Sequence, residues 1–166
     1  LSENDGIKDL NIMLNILNNL GINLLITYAN ADEGGNIFNL EIEKYIDSNS
    51  NNFKVVKNLG QQDYFSAIRY VDFVVGNSSS GIIEVASFGK PVINIGDRQK
   101  GRLRNDNVID CNINSLETAI NKALSDKFKS KCKDILNIYG AGNASDKIVE
   151  QLENQDLRIN KVFIDM

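Results

Sequence analysis

The chain has 166 residues, 42% of them hydrophobic and 24% charged, a balance that excludes a disordered or fibrous protein and suits one globular domain. Its 18 Lys and Arg against 22 Asp and Glu leave a formal charge of −4, so overall charge does not draw it to nucleic acid or anionic lipid, and any anion site must be local. The absence of His removes the commonest acid–base group and metal ligand.

No apolar run approaches the roughly 20 residues of a membrane helix, and Leu1-Ser2-Glu3-Asn4-Asp5 is no signal peptide, so a cytoplasmic protein without membrane contact is expected. Length and the Leu1 start suggest a single domain, residues 1–166, cut from a longer protein. Cys111 and Cys132 have no CxxC spacing and read as reduced, buried thiols.

Ser2 is placed to cap a helix whose apolar residues Ile7, Leu10, Met13, Leu14, Leu17 and Leu20 recur every three to four positions, with Gly21 as terminator. Leu24 to Tyr28 is short, apolar and bounded by turn residues, as a buried parallel strand is. A helix from Ile37 to Ile46, a strand from Phe53 to Val56, a helix from Asp63 to Tyr70 and a strand from Val71 to Val75 follow. A helix from Ile82 to Phe88, a strand from Pro91 to Ile95 and a short one from Asn107 to Asp110 come next, then helices at Ser115–Leu124, Asp126–Ile138 and Ala144–Leu152. This alternation predicts an α/β domain with a Rossmann-like parallel sheet and helices on both faces. Ligands bind such sheets at the carboxyl ends of the strands, so the loops after Tyr28, Val56, Val75 and Ile95 should share a rim.

The most informative segment is Val74-Val75-Gly76-Asn77-Ser78-Ser79-Ser80-Gly81-Ile82-Ile83-Glu84, in which a buried strand gives way to small hydroxyl residues and a helix. Free N–H groups, the helix dipole and hydroxyls can bind phosphate there without net positive charge, while Glu84, one turn on, can accept bonds from ribose hydroxyls. Local sequence fits equally well with Ser80 as a mere helix cap and Glu84 as complement to the dipole. The Gly-Lys-Ser/Thr ending of a P-loop is absent.

Ile95-Gly96-Asp97-Arg98-Gln99-Lys100-Gly101-Arg102-Leu103-Arg104 sets four cations just beyond a strand. Arg98, the first of them, is best placed to reach phosphates at Ser78 and Ser79 through its planar guanidinium, whereas Lys100, Arg102 and Arg104 read as a solvated basic face. Tyr28-Ala29-Asn30-Ala31-Asp32-Glu33-Gly34-Gly35 either lines the same cleft or forms an Asx-type turn. Near Gly60-Gln61-Gln62-Asp63-Tyr64-Phe65 an aromatic at a helix start can stack on a base, although Phe65 and Ile68 also suit the core.

Taken in order, these segments resemble the carboxyl-terminal half of the UDP-N-acetylglucosamine 2-epimerase family. The likeness is densest in Gly76-Asn77-Ser78-Ser79-Ser80-Gly81 through Glu84, in Phe88-Gly89-Lys90-Pro91-Val92-Ile93-Asn94-Ile95-Gly96 and in Arg98-Gln99-Lys100-Gly101-Arg102. It extends to Asn30-Ala31-Asp32 and to Tyr139-Gly140-Ala141-Gly142-Asn143-Ala144-Ser145, and is nearer the hydrolysing branch, which releases a free N-acetylmannosamine-type sugar.

The resemblance implies one half of a glycosyltransferase-B-type fold, with a UDP-acetamido sugar bound in the cleft against an amino-terminal domain outside this chain. It places the diphosphate at Ser78 and Ser79, the ribose at Glu84 and the phosphates at Arg98. It also places uracil on Tyr64 and the Leu59 main chain, and the nucleotide-sugar opposite Asn30. The family's catalytic carboxylates and histidine belong to the other half, so this chain is expected to bind UDP, to turn over little substrate alone, and to need no metal or cofactor. A glycosyltransferase half and a noncatalytic nucleotide-sugar sensor are the alternative functions, and a homo-oligomer is compatible with all three.

Overall fold

The computed structural model describes residues 3–29, 35–49, 52–140 and 142–155, and all structural statements concern these. Helix α1 (Glu3–Asn19) turns Leu14 and Leu17 inward, both 0% exposed, and stops at Gly21, whose φ of +65° few other residues adopt. Ser2, the expected cap, lies outside the described residues. Strand β1 (Leu24–Thr27) leads to α2 (Gly35–Asn49), β2 (Phe53–Val56) and α3 (Gly60–Tyr70). Strand β3 (Val74–Gly76) is followed by α4 (Ser79–Ile83), a 3₁₀ turn (Val85–Phe88) and β4 (Val92–Ile95). Strand β5 (Val108–Cys111), a second 3₁₀ turn (Ile113–Ser115), α5 (Leu116–Leu124), α6 (Asp126–Lys133) and α7 (Ala144–Asn154) complete the order.

All strand pairs are parallel. In one ladder β1 runs beside β2, with Thr27 opposite Val56; in the other β4 lies between β3 and β5, with Val75 opposite Ile93 and Ile93 opposite Ile109. Successive side chains of β4 face opposite ways, as the strand period requires. Ile93 joins a core of Leu14, Leu17, Tyr45, Phe53 and α5's Leu116, Ile120 and Ala123, against which Leu24 and Ile26 of β1 and Val75 of β3 also pack. Val92 faces the other way and meets Ile68 of α3 and Val85, with Tyr64, Phe65 and Phe88 alongside. The sheet around β4 is thus covered on both faces, the predicted Rossmann-like arrangement.

Several boundaries differ from the sequence expectation, three of them for a visible local cause. Strand β3 starts at Val74 rather than Val71, because the Val71 amide bonds Ala67 O to close α3 and Asp72 pairs with Lys129 at 2.6 Å. The helix expected from Ile82 to Phe88 begins earlier and breaks at Glu84: Ser78 caps α4, and a 3₁₀ turn continues from Val85. Helix α6 ends at Lys133 instead of Ile138, since Asn137 spends its side chain on the Ile83 carbonyl and Ser87 hydroxyl, each at 2.7 Å. Cys132 is buried and Cys111 half-buried, both as free thiols raised in pKa by burial. Among the described residues no helix is long and apolar enough to cross a membrane.

Candidate functional site

The parallel register carries the exits of β3 and β4 to the same edge, with Gly76 opposite Asn94. At the first exit the chain passes through Asn77 to Ser78, which keeps an extended backbone while its Oγ accepts from the Ser80 amide at 3.4 Å. Helix α4 sits tightly on β4 because Gly81 has no side chain: a Cβ there would lie 3.2 Å from Val92 Cγ1. With only five residues, α4 contributes its first amides and hydroxyls to the edge rather than a substantial dipole.

Helix α3 brings Tyr64 to this turn. Its hydroxyl is 2.6 Å from Ser80 Oγ, which is 3.3 Å from Ser78 Oγ, so three hydroxyls form a chain. Burial raises the Tyr64 pKa, the Ser80 hydrogen bond opposes this, and the negative charge of Glu84 adds to the rise. The half-buried Tyr64 ring lies 6.0 Å from Phe65, within the cluster of Ile68, Val85 and Val92.

Glu84 closes α4, its amide bonded to Ser80 O at 2.8 Å, and burial lifts its carboxyl above the ordinary carboxylate range. The folded chain therefore holds this proton more tightly than the unfolded chain does. The group's contribution to stability is complete in acid and is lost as pH rises through the raised value. Glu84→Gln should flatten that decline and leave the chain at least as stable at neutral pH. Chemical denaturation at a series of pH values from the ordinary carboxylate value of about 4 upward measures this; a steeper fall in the variant contradicts it.

At the second exit, Arg98 Nη1 and Gln99 Nε2 both donate to the Asn77 carbonyl, at 3.3 and 2.8 Å. The loop is fastened from below by Arg104, whose Nε meets Asp110 at 3.2 and 3.3 Å while Nη1 and Nη2 donate to the carbonyls of Arg102 and Gln99 at 2.6 and 2.9 Å. Asp110 also accepts from Asn94 Nδ2 at 2.6 Å. The solvated basic face expected for Lys100, Arg102 and Arg104 therefore fails at Arg104, a half-buried fastening, whereas Lys100 and Arg102 are exposed.

Ser78, Ser79, Tyr64, Glu84 and Arg98 thus gather where β3 and β4 end. Leu59 is half-buried at the start of α3, the element that carries Tyr64. Asn30 lies outside the described residues; just before it, the Tyr28 hydroxyl donates to Glu43 and the Ala29 amide to Asn39 Oδ1 at 2.9 Å.

Sequence reasoning missed the asparagines. Asn137 holds the Ile83 carbonyl, just ahead of Glu84, and accepts from Asn105 Nδ2 at 3.2 Å, while Asn105 Oδ1 takes the Ile138 amide at 2.9 Å. Tyr139 OH donates to Leu103 O at 3.0 Å, so one strap secures both the α4 exit and the Arg98 loop. Asn94 within an otherwise apolar strand was the legible clue: polar residues in such places are rarely idle. Among the described residues, three buried side-chain amide oxygens, Asn94 Oδ1, Gln99 Oε1 and Asn107 Oδ1, have no hydrogen-bond partner. Each such group costs about 1–3 kcal/mol.

A family model described as UDP-N-acetylglucosamine 2-epimerase matches residues 2–153. A GDP/UDP-N,N'-diacetylbacillosamine 2-epimerase (hydrolyzing) of Campylobacter jejuni is 42% identical over 96% of this chain and 42% of its own length. A UDP-N,N'-diacetylbacillosamine 2-epimerase (hydrolyzing) of Legionella pneumophila is 35% identical over 80% of the chain and 34% of its own. Polysialic acid biosynthesis protein P7 of Escherichia coli is 34% identical over 86% of the chain and 36% of its own. The chain thus spans less than half the length of these relatives. Its hydroxyl turn, its cation loop and the family match over residues 2–153 agree: it belongs to the UDP-N-acetylglucosamine 2-epimerase family.

Proposed function

We propose that the chain is the UDP-binding part of a hydrolysing 2-epimerase that converts a UDP-2-acetamido sugar to UDP and the free 2-epimeric sugar. The observation that carries this reading is the convergence of two strand exits, one bearing Ser78 to Ser80 and the other Arg98, with Arg98 and Gln99 on a single Asn77 carbonyl. Hydroxyls and a guanidinium at one edge suit a diphosphate, and Glu84 beside them suits the neutral, hydroxyl-rich ribose. Within the substrate class, the names of the relatives at 42% and 35% identity favour an N,N'-diacetylbacillosamine nucleotide over UDP-N-acetylglucosamine itself.

In the proposed reaction the C2 proton is removed, UDP departs to leave a glycal, and water adds to give the epimer. This chain's share is to neutralise charge building on the leaving diphosphate, an interaction stronger in the transition state than in the ground state. The proton-transferring carboxylates and histidine belong, on the family resemblance, to sequence outside this chain, and the proposed place of action is the cytoplasm.

Calorimetry with UDP tests the site. Ser79→Ala, Glu84→Gln and Arg98→Ala should each weaken binding, with Arg98→Ala losing about tenfold to a hundredfold, as removal of a charge-assisted contact does. Unchanged affinity in all three folded variants rejects the site. Product analysis of the full-length parent separates hydrolysis, which releases a free 2-epimeric sugar, from transfer, which needs an acceptor.

A further inference from the structure

Gln99 stands out because its burial is unfavourable by itself. It is 4% exposed, its Nε2 is committed to the Asn77 carbonyl at 2.8 Å, and its Oε1 is buried with no partner among the described residues. An apolar side chain of the same length would avoid that orphan oxygen. Exchanging the two ends of the amide does not help, since an oxygen would then face the Asn77 carbonyl.

The bond it does make acts on one peptide plane. The Asn77–Ser78 peptide is trans, so holding its carbonyl toward the β4 loop turns the Ser78 N–H the opposite way. Were this plane to rotate, a carbonyl oxygen would replace an amide at the start of the serine turn, where an anion needs donors. Arg98 alone holds the carbonyl loosely, at 3.3 Å from an exposed side chain, and Arg98 is the group expected to engage phosphate. Gln99 is internal, and its own backbone carbonyl is fixed by Arg104 Nη2 at 2.9 Å.

We propose that Gln99 is a positioning residue for the UDP site: it locks the Asn77–Ser78 peptide so that the Ser78 amide, not the Asn77 carbonyl, faces the diphosphate, and it keeps hold of that carbonyl when Arg98 turns to the ligand. This rests on the UDP-binding reading above. It predicts that stability and affinity separate, because removing Gln99 relieves a buried orphan while unlocking the site.

The test is Gln99→Met in the full 166-residue chain, with Gln99→Asn as a second variant that stays polar but is too short to reach Asn77. Calorimetry with UDP, thermal unfolding and the Ser78 amide resonance in a nitrogen-15 spectrum are the readouts. Gln99→Met is expected to bind UDP roughly tenfold more weakly, as the loss of one well-placed donor does, while its Tm is unchanged or raised. The Ser78 amide should shift on UDP addition in the unsubstituted chain and lose that shift in both variants. UDP affinity equal to that of the unsubstituted chain, or a loss that merely tracks a fall in Tm, overturns the positioning role. Failure of the unsubstituted chain to bind UDP removes the UDP reading and the positioning role together.

Discussion

Ile93→Ala should lower the free energy of unfolding by about 2–5 kcal/mol, as truncation of a wholly enclosed aliphatic residue does. Ile93 is 0% exposed in the middle of β4, the strand with neighbours on both sides and helices on both faces, and it lies in the cluster that joins α1, α2 and α5. With whole-domain stability on the order of 5–15 kcal/mol, this single change removes a large share of it. Urea denaturation reads it as a lower midpoint at unchanged slope; a midpoint within error of the parent contradicts the packing described. The loop bearing Arg98 leaves the same strand, so UDP affinity should fall only where the variant begins to unfold.

Gly89→Ala is the second large effect. Gly89 has a φ of +63°, and a Cβ there would stand 3.1 Å from Lys133 Cα and 3.4 Å from the Cys132 carbonyl, both main-chain atoms of α6 that cannot swing aside. Left-handed strain and overpacking together should cost about 2–4 kcal/mol. Gly21→Ala is the internal control: its φ is +65° but no atom lies within 4 Å of the added methyl, so only strain of about 1–2 kcal/mol remains. Equal losses in the two variants would show that the approach of α6 to Gly89 does not matter.

Much of the fold was legible because burial in a parallel sheet writes itself as short apolar runs. Phe53 to Val56 matched residue for residue, and Leu24 to Tyr28 overshot its strand by one residue; that strand alternates half-buried and exposed positions where a buried one was expected. Val71 and Asp72 misled because an apolar residue before a strand looks like the strand itself, while here Val71 closes α3. Ile82, Ile83 and Val85 carry helical spacing, but only the packed structure shows Ser78 starting α4 and Glu84 ending it.

The same division holds at the candidate site. Serines after a strand, a glutamate in the next turn and an arginine after the next strand could be found from local chemistry. Gln99, Arg104 and Asn137 could not, because polar residues in loops normally read as solvated, and their burial arises from contacts far along the chain. Asn137 reaches the Ile83 carbonyl across 54 positions. Nothing local to either segment announces that bond.

The single turn of α4 also has a consequence for how an anionic ligand would respond to salt. A helix this short projects little field beyond its own amides, and the chain's net −4 repels an anionic nucleotide from afar. Added electrolyte, with a screening length of about 10 Å at 0.1 M, damps that repulsion first. Encounter with the nucleotide should therefore quicken as ionic strength rises, the reverse of a basic cleft, until the direct Arg98 contact begins to loosen.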